Sequence, residues 1–415
     1  MQKAAWKRKT ALFLLGQGIS LFGSSLVQYA VIWYVTLETN SGIMVTVLTL
    51  CSFLPQLLIS LFAGVWADRF SRKTMIIVAD GSIALATLGL IFIIRGSDSY
   101  YWALLLVSAV RSAGAGMQTP AVNAVIPQLV PPERLMRISG INGSIQSLVG
   151  IVAPAVAGGL LAAGSMENVL FIDVITAAIG IGILLCIAIP LHQKARERLK
   201  GGYLDDFKSG LKYSFHNRFL RRLLIIEAIT CLVISPALYL NVLFVSRAFG
   251  SDYYYLTLNE ISFFLGAIGG GVVISTWGGF KNRLKTLALG CCAFAVSIIV
   301  AGVAQHFWVY LLSMVLCGFS MPMVNSPMMV LVQEKAEPDM QGRVFSMVQI
   351  MMTCVMPLGL LIFGPLADVV DIRWIMIGSG LLVFPVLLGA MRLKGFYSQG
   401  CAPPKMPTSE QGAEA

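Results

Sequence analysis

Charge is what this chain has least of. Only 12% of its 415 residues are Asp, Glu, Lys or Arg, against about a quarter in soluble domains, and 57% are hydrophobic. That balance excludes an ordinary soluble domain. Histidine is nearly absent: His192, His216 and His306 each fall in a loop or at the end of an apolar run, where none reads as a metal or catalytic ligand. The eight cysteines form no metal-type pair; seven lie inside apolar runs and Cys401 in the tail, as buried small hydrophobes do. No Walker, Cys/His or catalytic-triad pattern occurs, which argues against an ATP-driven pump, an enzyme or a bound cofactor. A signal peptide is not expected either. The run from Ala11 to Leu37 is too long for a signal core and lacks a cleavage site near its end.

What the chain does have is apolar runs near the ~20 residues a membrane span needs. Twelve spans are predicted: 10–37, 42–67, 74–95, 100–126, 138–163, 168–190, 221–247, 255–277, 284–304, 307–333, 344–367 and 372–392. All but Arg95, Arg111, Arg247 and Arg373 of the 30 lysines and arginines lie at one end of that arrangement. The net charge of +10 is therefore an orientation signal and not a nucleic-acid footprint, and it predicts both termini in the cytoplasm. The predicted fold is an all-α membrane protein of two pseudo-symmetric six-helix bundles, 1–190 and 221–395. Between them, 191–220 is a basic linker. In it Phe207, Leu211, Phe215 and Phe219 recur every four residues, which suits an amphipathic helix at the lipid interface or a solvated linker helix. Residues 396–415 are polar with prolines and are expected to be disordered.

The halves repeat weakly. Trp66–Thr74 resembles Trp277–Thr286, Pro132–Ile138 resembles Pro338–Val344, and Gln146–Pro154 resembles Gln349–Pro357. Duplicated halves of this kind mark secondary transporters with the site between them. Four kinds of polar or small residue stand out against the apolar background. The loop after span two holds Gly64, Asp68, Arg69, Arg72 and Lys73. Span eleven begins at the same face, near Gly342 and Arg343, and its free N–H groups attract a carboxylate such as Asp68. Arg111 lies mid-span in span four, at a cost of roughly 2.5–3.5 kcal/mol unless it faces the interior, a cavity or an acid. Asp173, Glu260 and Glu227 lie in or near spans. They are candidates for binding a proton, although carboxylates are also favoured at helix starts. Asp80, one turn into span three, is expected to belong to the inner loop network. Span five carries Gly150, Pro154, Gly158 and Gly159, residues that permit close packing and a bend; Gly266 and Gly270 in span eight read the same way.

These features together resemble the major facilitator superfamily. The Gly64–Lys73 stretch is similar to its signature loop, and the span-five glycines and Pro154 loosely resemble its antiporter signature, with Ala153 where a Gly is usual. Phe53-Leu54-Pro55, Arg111-Ser112, Thr119–Val125, Leu129-Val130-Pro131, Glu260–Phe263 and Gly342–Ser346 are similar to bacterial drug:proton efflux proteins of the macrolide-efflux type. The resemblance implies a multi-pass protein of the bacterial inner membrane that exports small amphipathic drugs in exchange for protons. It also implies that Asp68 latches the halves on the cytoplasmic side and that Arg111 takes part in proton transfer. The expected partners are substrate, protons and membrane lipid, with no nucleic acid, and the chain is expected to act as a monomer. Two alternatives remain at this point: a proton-coupled transporter of a small metabolite, and a non-transporting membrane scaffold or receptor.

Overall fold

The computed structural model describes residues 2–69, 71–96, 100–131, 134–164, 166–187, 211–337, 340–393 and 395–401. Their main helices are α1 (Gln2–Thr39), α2 (Gly42–Arg69), α3 (Arg72–Gly96), α4 (Tyr101–Leu129), α5 (Leu135–Ala162), α6 (Met166–Leu185), α7 (Arg218–Tyr239), α8 (Asn241–Phe249), α9 (Tyr253–Trp277), α10 (Arg283–Val303), α11 (Phe307–Lys335), α12 (Gln341–Ala367) and α13 (Ile372–Arg392). A chain this apolar satisfies its backbone within each helix, because lipid offers no partner. Among the described residues ten helices are long and apolar enough to cross a membrane. α4 falls short because Ser108, Arg111, Ser112, Gln118 and Asn123 interrupt its apolar sequence. In α12 the apolar stretch is the shorter Cys354–Ala367.

Helix ends follow local chemistry. The Asn217 side chain accepts from Phe219 N–H at 3.0 Å, Asn282 from Leu284 N–H at 3.0 Å, and Asp371 from Arg373 N–H at 2.9 Å, each occupying a donor left free at a helix start. The predicted span 221–247 is two helices. It breaks at Leu240, after Pro236, and Asn241 restarts the helix by accepting from Val242 N–H at 2.7 Å. Of the predicted linker helix, 211–216 is helical and Phe219 belongs to α7; 188–210 lie outside the described residues. Residues 395–401, at the head of the expected disordered tail, fold back beneath α7 and α10. Phe396 is buried and stacks on Phe219 at 5.1 Å, and Cys401 forms a β-bridge with Asn282.

Helices α1–α6 pack on one another, as do α7–α13, and the two groups meet mainly where α2 lies on α12 and α5 on α9. Large side chains such as Leu85, Phe92, Trp102, Leu106 and Leu148 face outward, as lipid-facing residues do. Small residues set the tight contacts. Gly266 and Gly270 of α9 touch the backbone at Val315 and Phe319 of α11, and Gly318 of α11 touches Phe263 of α9. Gly150 and Gly158 face Phe264 and Thr257 of α9, whereas Gly159 faces open space, so only part of the span-five motif lies in the seam. Toward the end that carries the basic loops (the basic end), α5 from Ser139 to Leu148 is exposed on most of its faces. The second group therefore leaves α5 largely uncovered at the basic end. Gly318→Leu is expected to lower the melting temperature in detergent, because overpacking costs about 1–3 kcal/mol, while Gly159→Leu leaves it unchanged; melting curves of the two variants check this.

Candidate functional site

Between the groups lies a cavity of about 420 Å³. α1 contributes Ser24, Gln28, Tyr29 and Trp33; α2 contributes Thr49, Phe53 and Gln56; α4 contributes Arg111 and Gln118; Tyr239, Asn241 and Glu260 come from the second group. Phe53 meets Tyr239 edge to face, with ring centroids 5.7 Å apart, and so joins the groups across the cavity. The lining is aromatic and amide-rich, with one cation on the first group and one acid on the second. Such a surface suits an apolar ligand with a few polar groups.

Arg111 has the partner its depth demands. Its guanidinium donates to Asp173 of α6 and to Thr87 of α3, and reaches the Ser24 carbonyl of α1 at 3.3 Å. The Thr87 hydroxyl lies 2.9 Å from the same Asp173 oxygen, and Ser24 Oγ approaches the other at 3.5 Å. Asp173 is fully buried. Four helices thus meet on one ion pair, and two predicted residues 62 positions apart come together. Desolvating either charge alone costs several kcal/mol; the pair and its hydrogen bonds offset that cost.

The other acids separate. Glu260 faces the cavity with Asn259 Nδ2 at 3.2 Å, and among the described residues it forms no salt bridge. Glu227 is buried elsewhere, beside Cys231 and under α10, α13 and Phe396, so the structure does not bring it to the cavity. Asp80 does not belong to the inner loop network. It is 2% exposed inside the helix packing and accepts from Gln118 Nε2 at 2.5 Å and Ser20 Oγ at 3.4 Å, while its Oδ2 has no partner. The error has a physical cause: α3 starts at Arg72, so Asp80 is eight residues and ~12 Å from the helix end.

Arg72 donates to the Ala124 carbonyl at 2.7 Å, and Lys73 to the Leu185 and Ile187 carbonyls at 2.9 Å. Lys73 thus closes the end of α6, as cations do at helix C-termini, and Arg72 ties the start of α3 to α4 one turn before its end. The side chains of Asp68 and Arg69 and the surroundings of Gly64 and Gly342 lie outside the described residues, although Asp68 is in the last turn of α2 and Gly342 in the first turn of α12. Arg343 is exposed and approaches Met340 Sδ at 3.5 Å.

At the far end of the same helix pair the sequence reading missed a contact of the kind expected of Asp68. Asp368, just past α12, accepts from Gly42 N–H at 2.6 Å, Ile43 N–H at 2.9 Å and Ser41 Oγ at 2.9 Å, all at the start of α2. Arg247 of α8 donates to it at 2.9 Å and also to the Asn40 carbonyl at 2.6 Å. The signal was present in the sequence: Gly64-Val65-Trp66-Ala67-Asp68 recurs as Gly364-Pro365-Leu366-Ala367-Asp368. Burial pushes the Asp368 carboxyl up, but the Gly42 and Ile43 N–H groups, Ser41 and Arg247 outweigh it and hold the carboxyl below its usual range.

The sequence model of the Major Facilitator Superfamily matches residues 13–359. The chain belongs to the major facilitator superfamily. Membership makes it a transporter rather than an enzyme, and with its apolar helices a multi-pass inner-membrane protein. Macrolide efflux protein A of Streptococcus pyogenes is 29% identical over 91% of this chain and 94% of its own. The protein of that name in Enterococcus faecalis is 30% identical over 76% and 99%. Multidrug efflux pump Tap of Mycobacterium tuberculosis is 26% identical over 92% of each. Among solved structures, an inward-facing, unoccupied bacterial homolog of the human lysosomal transporter Spinster superimposes with a TM-score of 0.71 at 14% identity, covering 96% of this chain and 99% of that one. The nucleoside transporter NupG does so with 0.73 at 15%, covering 93% and 99%. The superfamily fold is what these two likenesses show.

Removing the Asp368 cap costs about 1–2 kcal/mol. Asp368→Ala is therefore expected to raise labelling of a cysteine placed at Thr49, from the Asp368 side, roughly 5- to 30-fold in a cysteine-depleted background. A depressed carboxylate pKa supplies its stabilisation above the unfolded value and loses it as pH falls through the folded one. Labelling of the wild-type latch, divided at each pH by that of the Asp368 variant to cancel the thiolate fraction, should thus stay flat from neutral pH down to the ordinary carboxylate range and rise only below it.

Proposed function

We propose that the protein exports amphipathic drugs, macrolide-like or multidrug, in exchange for protons by alternating access. The observation that carries this reading is the cavity between the helix groups, aromatic and amide-lined with Arg111 on one wall and Glu260 on the other. Relatives named as macrolide and multidrug efflux pumps, aligned over most of the chain, support it. In this reading α4 and α12 also cross the membrane, making twelve spans, with both termini and the basic end in the cytoplasm. The groups α1–α6 and α7–α13 rock about α2–α12 and α5–α9, and the present arrangement receives cargo from the cytoplasm or inner leaflet. Gly150, Pro154 and Gly158 let α5 pivot on α9. Glu260 is the counter-ion for a cationic amine on the cargo. A proton gradient drives the cycle, no cofactor takes part, and the unit is a monomer in contact with lipid. An organic-anion carrier needs several cationic groups at mid-membrane; among the described residues the cavity offers Arg111, which is paired with Asp173.

Two helix-end carboxylates then alternate. Asp368 closes the outer end on the start of α2, and Asp68, positioned by Arg69, Arg72 and Lys73, closes the inner end on the start of α12 beside Gly342 and Arg343. Everted vesicles with an imposed pH gradient are expected to accumulate erythromycin, and an uncoupler to abolish the accumulation. No accumulation, or accumulation that survives the uncoupler, overturns proton-driven export. Asp68→Asn should lower the rate at least about tenfold, consistent with a capping contact of ~1.4 kcal/mol, with unchanged protein in the membrane fraction. A drug-sensitive bacterium expressing the protein, tested across a drug panel, ranks the cargo.

A further inference from the structure

Two buried acids lie in successive layers along the interior of α1–α6, and they are in different electrical situations. Ser24, Thr87 and Arg111 surround Asp173. One layer toward the basic end, Ser20 and Gln118 surround Asp80. The two layers share their helices: Ser20 and Ser24 on α1, Asp80 and Thr87 on α3, Gln118 and Arg111 on α4. Seven residues on α3 or α4 separate the layers by about 10 Å along the axis.

Resting on the proton-coupled reading above, we propose that Asp80 carries the exchanged proton, while the charges of the Arg111–Asp173 ion pair stay fixed. Two carboxyls and one guanidinium are electrically neutral with one proton bound, and Arg111 is committed to Asp173. Asp80 has no cation. Its Oδ1 takes both hydrogen bonds, its Oδ2 takes none, and it is 2% exposed. Burying that group as a carboxylate costs far more than burying it as a neutral acid. The groups facing it are Ser20 from α1, Gln118 from α4 and, from α6, the like charge of Asp173. Arg72 and Lys73 of its own helix turn away to carbonyls of α4 and α6, and the charged residues of α2 lie in its last turn. Gln118 lines the cavity, so one side chain separates Asp80 from cavity water. When water reaches past Gln118, the Asp80 O–H bond breaks, the proton passes to water as hydronium, and the carboxylate is left solvated. Rebinding reverses the step.

Infrared difference spectra of the purified full-length protein between acid and alkaline pH test this without any drug. The wild type is expected to show buried-carboxyl C=O bands, one of which disappears in Asp80→Asn and moves in frequency in Asp80→Glu. The second variant keeps the test open if the first fails to fold. In reconstituted vesicles Asp80→Asn should lose gradient-driven erythromycin accumulation at least tenfold but keep erythromycin–erythromycin exchange, and Asp80→Glu should restore part of the accumulation. Bands unchanged in both variants, or full gradient-driven accumulation by Asp80→Asn, overturns the proposal. If the wild type accumulates no erythromycin, the efflux reading fails, and the infrared bands still decide the role of Asp80.

Discussion

A helix that starts at a membrane surface leaves N–H groups without partners, and in this protein one carboxylate satisfies them across the seam between two helix groups. Asp368 ends α12 and binds the start of α2 through two N–H groups and a hydroxyl. Gly42 lies against Gly364 and Thr46 against Leu360, so α2 and α12 run antiparallel and each ends near where the other begins. Arg247 ties α8 to the same point through Asp368 and Asn40. That contact joins the groups at the end opposite the exposed stretch of α5, and the cavity lies between the groups. Part of its strength is charge against a helix dipole, which a change of cargo or solvent can outcompete.

Arg111 imposes the second constraint. A mid-membrane guanidinium is tolerated only with an acid and further acceptors around it, and Asp173, Thr87 and the Ser24 carbonyl provide them. The polar residues that make α4 a poor span by composition are the ones that build this network and line the cavity. Glu260 and Glu227 look alike in the sequence, as acids within apolar runs. Packing places the first on the cavity and the second beneath α10 and α13.

Much of the fold was legible before any coordinates. The lengths of the apolar runs placed most helix ends to within a few residues, except where α1 begins eight residues before its predicted span, α6 ends five residues before its own, and Pro236 and Asn241 split one run into α7 and α8. The burial of Arg111 was legible because its cost requires it. The identity of its partner was not, because a carboxylate 62 residues away leaves no trace in local periodicity. Asp80 was misplaced because its distance from the helix end depends on where α3 starts, which a basic loop conceals. The span-five glycines were half legible: spacing marks small residues, but only the helix rotation shows that Gly150 and Gly158 face α9 and Gly159 does not.

By itself the sequence determined the environment, the helix count to be expected and the family, because hydrophobic length, charge asymmetry and the signature loop are local properties. The tertiary structure alone decided which carboxylate meets which cation, which acid reaches the cavity and which end of the α2–α12 pair is latched. Those are contacts between helices far apart in the chain. Their energies depend on burial and on distances of a few ångströms, which no single segment encodes. Gly64–Asp68 and Gly364–Asp368 are the clearest case: one motif, written twice, whose second copy took on meaning only when its carboxylate was seen against the start of α2.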